Sequence, residues 1–314
     1  MLALLFPGQG SQEIGMAKDA VEASPAAQRV FDAADAALGF PLSRLCFDGS
    51  EEDLLRTEIQ QPAILTASVA LMRMLEEQVK LAPACVAGHS LGEYTALVAA
   101  GALEFEDAVR LVHARGRFMQ EAVPEGRGAM AAVMGCSAEI VEQACLYASS
   151  KTGLEAAPAN FNGPVQTVIS GDAVAVEVAC ARARQEGAKR TVPLNVSAPF
   201  HCALMAPAAE KLALELARVR FRDASAPVIT NVEARPCREG SRFAQLLERQ
   251  VTAPVRFSEM VACIAELGVR RVLEIGPGRV LTGLVARIAR ELERSNLSSR
   301  AGLEDAVAFA TESR

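Results

Sequence analysis

With 314 residues, 51% of them hydrophobic and 22% charged, the chain has the composition of a folded globular protein with room for a main domain and a smaller second one. A net charge of -6, no tryptophan and only two tyrosines leave neither a field nor an aromatic surface for nucleic acid or an anionic membrane; an acidic ligand must be met by a local cation. No apolar run reaches the roughly 18 residues needed to span a bilayer.

The opening MLALLFPGQGSQ lacks the basic region of a secretory signal. Cysteines at 46, 85, 136, 145, 180, 202, 237 and 263 follow neither a disulfide framework nor a zinc spacing. The expectation is a cytoplasmic protein with reduced, mostly buried thiols and no metal.

The first strand is LALLF, running into the loop PGQGSQEIG. Pro62 opens a helix over PAILTASVALMRMLEEQVK, whose apolar positions 64, 67, 71, 74 and 75 recur at helical spacing. APACVAG reads as a short buried parallel strand, and LGEYTALVAAG as a helix stopped by Gly101. The next helix is EDAVRLVHARGRFMQEAV.

From residue 128 to 194 the pattern becomes β-α-β-β-α-β: GAMAAVMG, SAEIVEQACLYASS, LEAAPANFN, QTVISG, DAVAVEVACARARQEG and KRTVPL. That is the order of a ferredoxin-like unit, taken here as an insertion at 126–194. The main domain, 1–125 and 195–314, resumes with PVITNVEA, the helical RFSEMVACIAELG, the strand RRVLEIG and a closing helix from Arg279. Residues 292–314 read as a polar tail with a short helix from Gly302. Alternating strands and helices make the main domain α/β with a mainly parallel sheet.

Ser90 lies in Gly88-His89-Ser90-Leu91-Gly92, between the expected strand and helix. This is the pattern of a strand turning sharply into a helix and presenting a nucleophilic hydroxyl, and equally that of a small residue in a tight turn. A serine nucleophile needs a base, and the chain has three histidines. His89 adjoins Ser90 at the strand end, so its ring should point away. His113 lies on the polar face of its helix with Arg110, Arg117 and Glu121, as a solvated histidine would. His201, in the loop NVSAPFHCALM, is the base by elimination.

The His113 helix has an apolar stripe at 108, 112, 115, 119 and 122, which places Arg115 on the buried face. A buried guanidinium cannot shed its charge and must be paired, either with an internal carboxylate or with a substrate carboxylate held by two parallel hydrogen bonds. Acyl transfer also needs amides to receive an oxyanion; Leu91 after the nucleophile and Gln9 in FPGQGSQ are the candidates. EIGPG reads as a packing turn.

Taken together, FPGQGSQ, GHSLGEY, RGRFMQEAVPEGRGAMAAV, ANFNGP, APFHCALM, RQVTAPVRF and EIGPG cover nearly the whole chain in order. The set resembles malonyl-CoA:acyl carrier protein transacylases and the related acyltransferase domains of polyketide synthases. The resemblance implies an α/β-hydrolase-like large domain with a ferredoxin-like insertion, acting as a monomer. It implies a Ser90 acyl-enzyme, His201 as base, Arg115 on the malonyl carboxylate and the Gln9 and Leu91 amides as oxyanion hole. Gln250 would orient His201 through its main-chain carbonyl.

The implied donor is malonyl-CoA and the acceptor the phosphopantetheine thiol of holo acyl carrier protein, with no metal or redox cofactor, in fatty-acid or polyketide synthesis. Phe200 before the histidine looks like malonyl-selective domains, where the ring crowds an α-methyl group. Lys189, Arg190 and Arg287 would meet an acidic carrier protein. A serine esterase or thioesterase of related fold shares every feature except the buried arginine, and a catalytically idle docking module for carrier proteins would not need the reactive serine.

Overall fold

A computed structural model of the chain describes residues 1–196 and 198–312. Ser197 of the expected loop, and Ser313 and Arg314 of the expected tail, lie outside the described residues.

Strand alternation decides the architecture. In β1 (Leu2–Phe6), Leu2, Leu4 and Phe6 face one buried apolar cluster, and Ala3 and Leu5 face another. Both faces are therefore covered, as in a parallel sheet between helix layers. The chain continues through β2 (Cys85–Gly88), β3 (Gly128–Met134), β4 (Ala156–Gly163), β5 (Gln166–Asp172), β6 (Arg190–Pro193), β7 (Val228–Ile229), β8 (Pro236–Cys237), β9 (Arg271–Ile275) and β10 (Glu293–Leu297).

Six of these strands form one sheet in the order β10-β9-β1-β2-β7-β8, parallel except for β8, which returns antiparallel on β7. Helices Thr57–Glu76, Gly92–Ala99 and Phe105–Glu121 cover one face, and Phe257–Glu266 and Val280–Ile288 the other. Phe6 registers with Gly88, so the loops leaving β1 and β2 emerge side by side at the carboxyl end of the sheet. Open α/β sheets bind their ligands at that end.

The remaining four strands form an antiparallel sheet, β4-β5-β3-β6, in the ferredoxin-like order. Ala131, Val133 and Ile169 pack on its own helices Ala138–Thr152 and Ala173–Gln185, whereas Met130, Ala132 and Val168 join the core of the large sheet. A short ladder, Phe161 N–H to Val255 O at 2.9 Å and Val255 N–H to Ala159 O at 2.9 Å, stitches β4 to the segment before Phe257.

Three expectations change. Pro62 does not open its helix, which starts at Thr57 and carries the proline inside. Proline removes the hydrogen bond to the carbonyl four residues back. That carbonyl, of Glu58, accepts instead from Nδ1 of His113 at 2.8 Å. His113 is thus a half-buried partner of that helix, not a solvated side chain. Replacing it with leucine is expected to lower unfolding free energy by about 1 kcal/mol, measured by denaturant titration, because a part-buried carbonyl loses its partner. Lastly, the polar tail contributes β10, parallel to β9, before its helix Leu303–Thr311. An edge strand pairs through its backbone and needs no apolar alternation, which is why ERSNL hides it.

Candidate active site

Ser90 sits between β2 and the helix Gly92–Ala99 with φ 51°, in the left-handed region. A β-carbon on Gly88 would overlap the Gly92 carbonyl, and one on Gly8 would lie 2.5 Å from the His89 carbonyl oxygen, so the turn and the loop after β1 pack backbone to backbone. Such a conformation costs about 1–3 kcal/mol and persists only when its surroundings over-determine it. Here Ser90 N–H donates to Asn231 Oδ1 (2.6 Å), Asn231 Nδ2 donates to the Gly88 carbonyl (2.7 Å), and Gln250 Nε2 donates to the Ser90 carbonyl (3.0 Å).

His201 also has a positive φ, 61°. Its Nε2 lies 2.8 Å from Ser90 Oγ and its Nδ1 2.8 Å from the Gln250 carbonyl oxygen. A carbonyl can only accept, so Nδ1 carries the hydrogen and Nε2 is free to take the serine proton. Burial, followed by the positive field of Arg115, holds His201 down at about 3, keeping the imidazole neutral. His89 is likewise pushed below the ordinary imidazole range, chiefly by burial; its Nε2 meets Asn162 Oδ1 at 2.8 Å and it does not touch Ser90 Oγ.

Arg115 is fully buried. Its Nη1 donates to Gln61 Oε1 (2.8 Å), and its Nη2 to Ser90 Oγ (3.0 Å) and Gln250 Oε1 (2.9 Å). Nε has no partner among the described residues, and the guanidinium carbon lies 5.7 Å from the centre of the Tyr94 ring. None of the ion pairs among the described residues includes it. An internal carboxylate pairing is thus not what the chain builds. The oxygens Arg115 donates to are neutral, one of them the serine hydroxyl, so a carboxylate brought to the same place would repay its burial.

A cleft of about 700 Å³ opens over Ser90 and His201, lined also by Gln9, Asn160, Phe200 and Met130 of the small sheet. Neither the Gln9 nor the Leu91 amide meets an acceptor among the described residues. Leu91 precedes the first helical turn, where backbone N–H groups have no partner within the helix. Gln9 is held from its side chain, with Nε2 donating to Gln60 Oε1 at 2.5 Å and Oε1 accepting from Gln61 Nε2 at 3.3 Å.

Lys189, Arg190 and Arg287 gather at one end of the small sheet: Lys189 N–H bonds the Met134 carbonyl at 2.8 Å, Arg190 registers with Met134, and Arg287 donates to Gln166, whose residue pairs with Met134. The eight cysteines are buried and unpaired, and no helix among the described residues is long and apolar enough to cross a membrane.

The structure gathers the expected Ser90, His201, Gln9 and Phe200 at the cleft, with Leu91, Arg115 and Gln250 against Ser90 and His201, and adds three residues that sequence reasoning missed. Asn231 follows a two-residue strand, Gln61 precedes the internal proline, and Glu93 is a carboxylate in the apolar run LGEYTALVA. The last was the readable signal, since an acid that helix buries at 1% exposure demands partners.

The family model described as acyl transferase domain matches residues 3–304. The malonyl CoA-acyl carrier protein transacylase of Escherichia coli K12 is 48% identical over 97% of this chain and 98% of its own length. That of Bacillus subtilis 168 is 48% identical over 98% and 96%. A solved type II polyketide-synthase acyl carrier protein complex with its malonyl transacylase superposes with a TM-score of 0.95 at 46% identity, over 98% of this chain and 99% of that one. With Ser90 and a neutral His201 on one cleft, Arg115 buried against the Ser90 hydroxyl, and likeness along nearly its whole length, the chain belongs to the acyl transferase domain family, among the malonyl CoA-acyl carrier protein transacylases.

Proposed function

We propose that this chain moves a malonyl group from malonyl-CoA to the phosphopantetheine thiol of acyl carrier protein, in fatty-acid or polyketide synthesis, through an ester on Ser90. His201 Nε2 takes the Ser90 proton as Oγ attacks the thioester carbonyl. The Gln9 and Leu91 amides receive the oxyanion. The C–S bond then breaks, and the departing CoA thiolate takes the proton from His201. The carrier thiol enters, gives its proton to the same nitrogen, and reverses the sequence to release free Ser90. The chemistry draws on no metal or redox group, and its two halves predict ping-pong kinetics.

The observation that carries this reading is Arg115, buried with no carboxylate in direct contact, the acid Glu93 reaching it only through Gln250, and donating to the nucleophile itself. A malonyl group brings the missing anion within a few atoms of the ester bond, whereas an esterase has no use for that cation. The bulk of Phe200, buried at the cleft wall, limits an α-methyl group by about 10- to 200-fold. Residues 126–194 act as an inserted unit that forms one wall of the cleft, with the basic edge of Lys189, Arg190 and Arg287 facing an acidic carrier protein. Eight unpaired thiols favour the cytoplasm.

Brief mixing with malonyl-CoA, followed by holo carrier protein and intact-mass spectrometry, tests the proposal. A malonyl adduct that moves to the carrier thiol is the expected result; an adduct lost to water with the carrier untouched would make the protein a hydrolase. In the same assay Arg115→Ala is expected to lower the malonyl-to-acetyl acylation ratio by about 100-fold, the worth of a buried charge-assisted pair. An unchanged ratio would remove Arg115 from substrate binding.

A further inference from the structure

Glu93 is buried at 1% exposure on the helix that follows Ser90, and the steps above make no use of it. One of its oxygens, Oε2, accepts from Gln250 Nε2 at 2.6 Å and from the Asn231 backbone N–H at 3.2 Å. The same Gln250 side chain donates to the Ser90 carbonyl at 3.0 Å and accepts from Arg115 Nη2 at 2.9 Å, while its main-chain carbonyl holds His201 Nδ1 at 2.8 Å. One glutamine thus touches the nucleophile, the base and the arginine.

A side-chain amide can sit either way round. Only one way suits Arg115, whose guanidinium is donor-only and needs the oxygen. The far side offers two acceptors to the NH₂, the Ser90 carbonyl at 3.0 Å and Glu93 Oε2 at 2.6 Å, and the shorter bond, to Glu93, does most to remove the other choice. We propose that Glu93 is a positioning residue for acyl transfer: through one accepting oxygen it fixes the orientation of the Gln250 amide, and with it the aim of Arg115 and the seat of His201. Because both donors converge on Oε2, the accepting oxygen is what matters and the charge is not. The proposal rests on the malonyl-transfer reading of the same site.

The test compares Glu93→Met, which keeps the volume and removes the acceptor, with Glu93→Gln, whose amide oxygen can take both donors. Acylation by malonyl-CoA and by acetyl-CoA is followed by intact mass, beside thermal unfolding. Glu93→Met is expected to lower the malonyl-to-acetyl ratio tenfold or more, about the size of one hydrogen bond to a charged group, and Glu93→Gln to stay within about threefold of the parent. A parent-like ratio in Glu93→Met overturns the proposal, as does an equal loss in Glu93→Gln, which would make the charge the active property.

Should Glu93→Met fail to fold, Gln250→Leu removes the amide through which Glu93 acts while keeping the main-chain carbonyl. It is expected to lose the ratio by the same tenfold or more, and a retained ratio overturns the proposal. The parent in the same assay separates the two claims. If it transfers no malonyl group, the proposed function fails; if it does and the variants keep its preference, only the Glu93 role fails.

Discussion

Alanine at position 90 is expected to abolish the malonyl adduct and to lower transfer to the carrier thiol by about 10⁴-fold or more, because Oγ is the atom that His201 Nε2 meets at 2.8 Å. The fold should survive. The bonds that hold the left-handed turn are made by the Ser90 backbone, N–H to Asn231 and carbonyl to Gln250, and alanine keeps both. Arg115 Nη2 loses one acceptor but retains Gln250 Oε1 at 2.9 Å. Thermal unfolding beside intact-mass labelling checks both halves. An adduct of the same mass on a folded alanine variant would place the nucleophile elsewhere and leave Ser90 as a turn residue only.

Much of the site was legible because each of its members breaks a local rule. Ser90 falls between two glycines at a strand-to-helix junction, and Arg115 interrupts an apolar stripe where only paired charge survives. His201 stood out by elimination among three histidines. The parts that stayed hidden act through the backbone or through long-range contacts. The carbonyl of Gln250 that meets His201 carries no sequence signal of its own and came only by resemblance, and Asn231 reaches Ser90 across 141 positions of chain.

The same division holds in the fold. β1, β2 and the ferredoxin-like strands announce themselves by burial on one or both faces. β8 and β10 are edge strands whose pairing is made of main-chain hydrogen bonds, so PC and ERSNL read as loop and tail. Pro62 misled for a related reason. A proline reads as a helix start when its lost hydrogen bond is counted alone, and its place inside Thr57–Glu76 is supported by His113, which bonds the Glu58 carbonyl across 55 positions of chain.

Replacing His201 with alanine is expected to slow acylation by about 10³-fold, the middle of the range for a general base. The pH dependence of the parent carries the sharper information. A histidine with the ordinary value near 6.5 would be largely protonated at pH 5, cutting kcat/KM about 30-fold below its plateau. Held at about 3 by burial and by Arg115, His201 is neutral at pH 5, so kcat/KM for malonyl-CoA should stay flat from pH 8 down to pH 5.

Stability moves the other way. The unfolded chain takes up the proton near 6.5 while the folded chain refuses it until about 3, so this histidine contributes stability above 6.5 that drains away as pH falls, about 2 kcal/mol by pH 5. Glu93, which burial pushes up to about 7, works in the opposite sense over the same range, so the histidine's share is read as the difference in unfolding free energy between the parent and a His201→Ala variant at each pH, beside stopped-flow acylation of the parent. A flat rate together with a difference that shrinks as pH falls is the combination expected of a buried neutral base. An acid limb centred near 6.5, with that difference constant across it, would mean that the histidine titrates freely and that the Gln250 carbonyl and Arg115 do not hold it in the form the reaction uses.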